Sequence, residues 1–117
     1  MKRRLHAESD HEELLLPAEE TTPLQSWRVP VFPPRFSPTL AVLPQHVARH
    51  ALSLIGRLAA GEPAAFAGMR RLRASREICR VRVTADDRFL FKPLAHRLEV
   101  LDVINRKDFE KWLKTLN

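Results

Sequence analysis

No tyrosine occurs anywhere in these 117 residues, cysteine occurs once, and glycine only three times. Each shortage excludes something. A lone thiol, Cys79, cannot close an internal disulfide, so the fold must rest on a packed core. Its apolar neighbours mark it as a buried thiol of a reducing compartment, and no base lies near enough in sequence to make it a nucleophile. Gly56, Gly61 and Gly68 are too scattered for a loop that cradles phosphate. No apolar run approaches the roughly 20 residues that cross a bilayer. The opening MKRRL is basic, but charged HAESDHEE follows it where a signal peptide would be apolar. A cytoplasmic protein without membrane contact is expected. His46 and His50 have the i, i+4 spacing of a metal pair, yet no third ligand accompanies them. They read as a solvated helix face, with no metal and no cofactor.

What the chain does have is basic charge, unevenly placed. Residues 1–25 hold three Lys/Arg against six Asp/Glu, a net −3, whereas residues 26–117 hold seventeen against eight, a net +9. Residues 1–25 read as an acidic mobile arm, because little apolar area is available there to offset the entropy of ordering. Residues 26–117 form one domain, and its cationic surface favours a polyanionic partner. A second reading of the arm has Leu14–Leu16 docked in an apolar groove, with Glu12, Glu13, Glu19 and Glu20 near the basic face.

Periodicity places the elements. Trp27–Phe32 alternates, and Pro30, lacking an N–H, makes it an edge strand. Ser37 and Pro38 would cap and open a first helix carrying Phe36, Leu40 and Leu43. After Pro44, the residues Val47, Ala51, Leu54, Ile55 and Leu58 recur at helical spacing until Gly61 stops the run. Arg49, His50, Ser53 and Arg57 fall on that helix's wet face. From Met69 the period becomes two. Arg70–Arg73, Ile78–Thr84, Arg88–Lys92 and Arg97–Val103 read as strands, with Ala85–Asp87 a hairpin turn. Asn105 would cap a last helix, with Ile104 and Phe109 as its hydrophobic staple. Trp27 and Trp112 read as packing residues. The fold class is therefore α+β: a β-α-α helical hairpin on a mainly antiparallel twisted sheet, closed by a C-terminal helix.

In EICRVRVTADDRFLF, residues 77–91, alternation sends Val81, Val83, Phe89 and Phe91 to one face and Arg80, Arg82 and Arg88 to the other. Like charges facing across strands cost roughly 0.2–1 kcal/mol per pair. Three together are expected to hold an anion, and the planar guanidinium suits phosphate.

The stretch from Leu58 through MRRLRASREICRVRVTADDRFLF, followed by LEVLDVINRKDFEKWL, resembles the RelE/ParE superfamily of bacterial toxins from toxin–antitoxin modules. The resemblance covers roughly residues 27–115. Arg80, Arg82, Arg88 and Arg106 match arginines of its motifs. It implies a cytoplasmic toxin neutralised by a cognate antitoxin. The leading expectation is a RelE-like endoribonuclease that cuts mRNA on the ribosome. There Arg80, Arg82, Arg88 and Arg106 would hold the scissile phosphate, while Arg71, Arg73, Lys92, His96 and Lys107 contact RNA. The alternatives are a ParE-like inhibitor of DNA gyrase and a catalytically idle module of the same fold. The chain departs from the family pattern at its acid/base positions. Asp87 stands where an aromatic precedes Arg88, Asn105 where a histidine precedes Arg106, and Glu110 where a tyrosine is usual.

Overall fold

A computed structural model describes residues 11–18 and 27–116. The period-two segments form one five-stranded sheet in the order β1-β5-β4-β3-β2. The strands are β1 (Val29–Val31), β2 (Arg70–Arg71), β3 (Cys79–Arg82), β4 (Asp87–Pro93) and β5 (Arg97–Asn105). All neighbours are antiparallel except β1, which runs parallel to β5. The helices are α1 (Phe36–Ala41), α2 (Gln45–Ala59) and α3 (Phe109–Lys114). This is the expected α+β layering, with the helical hairpin on the sheet and a helix at the C-terminus.

The helices begin and end for local reasons. Pro44 occupies the cap position of α2, and beyond its end Gly61 takes φ +79°, a left-handed turn that costs glycine nothing. The first helix corrects the capping expectation. It starts at Phe36 with Arg35 at the cap, so Ser37 lies inside it, and the Thr39 hydroxyl donates back to the Arg35 carbonyl. Asn105 does cap the last segment: its Oδ1 accepts from the Lys107 N–H at 3.1 Å, and a 3₁₀ turn (Arg106–Asp108) leads into α3.

Two cores lie on opposite faces of the sheet. The larger joins Val47, Ala51, Leu54, Ile55 and Leu58 of α2 to Cys79, Val81, Phe89, Phe91, Leu98, Val100 and Val103. The smaller joins Leu15, Leu72, Ile78, Leu90 and Phe109, flanked by Leu101, Ile104, Trp112 and Leu113. A bulge in β5 lets one strand serve both. Leu90 pairs with Asp102 and Phe91 with Val100, so Leu101 is the extra residue. The bulge turns both Val103 and Val100 toward the helices despite their odd spacing.

The face expected to be bare is therefore covered, by α3 and by part of the arm. Leu15 is 1% exposed and bridges Leu72 in antiparallel fashion. The Leu16 N–H donates to the Arg71 carbonyl (2.8 Å), and the Arg73 N–H to that of Leu14 (3.0 Å). His11 packs against Phe109, with ring centroids 5.2 Å apart. Residues 11–18 thus correct the expectation of a mobile arm for their own length, because a buried leucine and two main-chain bonds fix them. Residues 1–10 and 19–26, the rest of the expected arm together with Ser26, lie outside the described residues.

At the other edge, β1 presents Pro30 outward. Val29 donates inward to the His96 carbonyl, so alternation points the Pro30 nitrogen away from β5. The outward N–H of Arg28 is taken by the Ala59 carbonyl at the end of α2. The Arg28 side chain is buried and donates to the Leu94 carbonyl, and burial lowers its pKa. Trp112 packs as expected, but Trp27 is 68% exposed.

Candidate functional site

The register brings arginines face to face. Arg70 pairs with Arg80 across β2 and β3, and Arg82 pairs with Arg88 across β3 and β4. Directly opposed cations repel, so the surroundings of each decide what it is for.

Arg88 is not displayed. It is 3% exposed, and its Nη1 donates to the carbonyls of Thr84, Ala85 and Asp87 at 3.0–3.1 Å. The same turn is tied by the Thr84 hydroxyl, which donates to Asp87 Oδ2 at 2.6 Å and accepts the Asp86 and Asp87 N–H groups. Arg106 joins it from the start of the last helical segment: its Nε lies 3.2 Å from Asp86 Oδ1, and its N–H donates to the Asp86 carbonyl. The expectation that Arg80, Arg82 and Arg88 all stand out on an open face is corrected here. Arg88 and Arg106 brace the hairpin turn, because its carbonyls and the Asp86 carboxylate offer them acceptors within hydrogen-bond reach.

Arg80 and Arg82 go elsewhere. They line a pocket of about 460 Å³, together with Arg57 of α2 and Arg70 of β2. Arg80 is 4% exposed, whereas Arg82 is open to solvent. The remaining walls are small or aliphatic: Ala18, Leu54, Ala64, Ala65, Ala67, Gly68 and Val81. Gly68 turns the chain at φ +80° before β2. Two carboxylates partly neutralise the rim. Glu62 lies 3.2 Å from Arg57 Nε, and Glu12 takes Arg70 in a two-point contact of 2.9 and 3.2 Å. The described residues that line the pocket include no carboxylate, histidine or cysteine. It can hold an anion and stabilise charge developing on one, but its described lining includes no side chain that takes or gives a proton at neutral pH.

The residues expected to contact RNA are dispersed. The half-buried Arg71 donates from Nη1 to the Arg76 carbonyl, and Lys92 lies 3.6 Å from Glu77. Arg73, His96 and Lys107 are exposed. His96 sits in the turn after β4, and Arg88 near that strand's start, so a strand's length of roughly 20 Å separates them. His96 thus stands apart from the hairpin arginines.

Arg57 and Arg70 were missed as site residues. Arg57 reads as helix surface, and only the β2–β3 register reveals that Arg70 faces Arg80. The available signal was the small-residue run AAFAG at 64–68, which leaves room beside the arginines. Among the described residues, a carboxylate with altered acidity lies outside the pocket. Asp102, half-buried opposite Leu90, has its pKa raised by desolvation; the Val103 N–H (2.9 Å), the Trp112 side chain and the charge of Arg35 pull it the other way. Among the described residues, no group of three or more His, Cys, Asp or Glu side chains could hold a metal ion, and no helix is long and apolar enough to cross a membrane.

Residues 45–111, more than half the chain and including all four pocket arginines, match the ParE-like toxin domain. No curated protein and no solved structure matches the chain.

Proposed function

Since the chain belongs to the ParE-like toxin domain family, and is thereby a toxin of a toxin–antitoxin module with an antitoxin as partner, we propose that it acts by gripping an RNA phosphate in the arginine pocket. The observation that carries this reading is the convergence of Arg57, Arg70, Arg80 and Arg82 on one cavity large enough for a phosphate and its ribose. Guanidinium groups present paired N–H donors to phosphate oxygens and stay charged at any physiological pH. On a ribosome-bound message they would draw the phosphodiester into line with the neighbouring 2′-hydroxyl. They would also stabilise the extra negative charge as that oxygen attacks and the 5′-oxygen leaves. With no proton-transfer side chain in the described lining, the 2′-hydroxyl proton would pass to water or to a ribosomal group, and the departing 5′-oxygen would take its proton from the same sources. Cleavage on the ribosome would therefore greatly exceed cleavage of naked RNA.

The missing acid/base also favours a second reading. A pocket that binds without reacting fits a ParE-like inhibitor that holds DNA gyrase. Incubating the purified chain with programmed ribosomes, and separately with gyrase and relaxed plasmid, separates the two. RNA fragments ending in a 2′,3′-cyclic phosphate or 3′-phosphate, reduced at least about tenfold by Arg82→Ala, are expected. Intact message together with blocked supercoiling would transfer the conclusion to gyrase.

A further inference from the structure

The pocket has a cover that belongs to the same chain. Glu12 binds Arg70 at two points, Arg70 Nε also donates to the Leu16 carbonyl at 2.6 Å, and Ala18 forms part of the pocket wall. Arg70 is thus shared between the pocket and the segment. Two further devices hold the same eight residues: Leu15 in the smaller core, and the main-chain bonds of Leu14 and Leu16 to the outer edge of β2. The three are unequal. The leucine is buried among apolar side chains, while Glu12 is half-exposed, so its ion pair feels salt and competing anions.

We propose that residues 11–18 are a displaceable latch, in which Glu12 stands in for a substrate phosphate on Arg70 and an incoming polyanion competes with it. The inference rests on reading the pocket as the RNA-phosphate site. While the latch is seated, Glu12 occupies Arg70 and one wall is closed by Ala18. Once it is released, Arg70 returns to the pocket and the outer edge of β2 loses its partner. The competition is local, because only eight residues of sequence, 19–26, separate the segment from the rest of the domain, which keeps it at high effective concentration. Removing only the carboxylate charge should therefore change affinity modestly, within the range of a partly exposed ion pair.

The test uses the full chain and a labelled ten-nucleotide single-stranded RNA at low salt. Glu12→Gln should tighten binding about two- to fivefold. Glu13→Gln, which removes the same charge from an exposed neighbour that is not Arg70's partner, should change it by less than about 1.5-fold. Amide exchange of Leu16 and Arg73 reads the latch without RNA. Both should lose protection in Glu12→Arg and regain it in Glu12→Arg with Arg70→Glu, where the pair is re-formed with its charges swapped. Equal effects of Glu12→Gln and Glu13→Gln would reduce the contact to bulk charge and overturn the latch. So would protection that ignores the charge swap. If instead Arg82→Ala leaves RNA affinity untouched, RNA binds elsewhere. The pocket reading then falls, and the latch loses its target even though the exchange data stand.

Discussion

At the scale of single residues, Arg82 and Arg88 face each other across two strands yet have opposite fates. Arg82 is exposed on the pocket, so Arg82→Ala should leave stability within roughly 0.5 kcal/mol of the parent while weakening RNA binding. Arg88 is buried and answers three turn carbonyls. Arg88→Ala takes the side-chain donor from the Thr84 and Ala85 carbonyls, while that of Asp87 keeps the Val83 N–H, and should cost about 1–3 kcal/mol by urea denaturation. Loss of activity in that variant would therefore report an unlatched hairpin as much as a missing clamp, and equal stabilities for the two variants would contradict the division. The alternation of EICRVRV made the shared face of these arginines legible. Their separation was not, because it depends on where the turn carbonyls fall and on Asp86 reaching Arg106. No pattern along the chain encodes those distances.

At the scale of elements, α2 was the most legible because all five of its predicted core positions are buried. Strand β5 was less so. Its bulge at Leu101 changes which residues face which core, and a strict period of two cannot anticipate one extra residue. Asp102 next to that bulge gives a pH-dependent prediction. Its folded pKa is raised, so between the unfolded value and the folded value the native state binds more protons than the unfolded chain. The stability associated with this group is therefore greatest below the unfolded pKa and falls as pH rises through the folded one. Asp102→Asn keeps an acceptor for the Val103 N–H and removes the buried charge. It should raise the melting temperature at pH 7 and raise it less at pH 4; a larger gain at pH 4 would reverse the sign. The arm segment makes a different test. Replacing a buried leucine by alanine normally costs about 2–5 kcal/mol. Leu15→Ala should cost under about 2 kcal/mol, because a segment that can leave limits the loss to its own docking energy. The full cost would make residues 11–18 an integral strand.

At the scale of the whole molecule, the charge split between residues 1–25 and the rest was plain in the composition, but the three-layer result was not. Leu14-Leu15-Leu16 is too short a run to declare a core, and its burial depends on Leu72, Leu90 and Phe109 meeting from distant parts of the chain. Basic charge concentrated at one pocket also predicts a measurable salt response. Each RNA phosphate neutralised contributes a slope of about −0.7 in log affinity against log salt. A pocket of four arginines should give roughly −1 to −3, and Arg82→Ala should flatten it by about 0.7; no change in slope would place the RNA outside the pocket. The two sheet edges carry a last consequence, one of stoichiometry. Strand-by-strand polymerisation needs every subunit to offer two free edges. Here the β1 edge is blunted, by the missing Pro30 donor and by the Ala59 carbonyl on the Arg28 N–H. Among the described residues, the β2 edge is closed by the arm segment, the part proposed to let go. A molecule with its arm released would therefore pair with one neighbour, edge to edge about a twofold axis, more readily than grow into a fibre.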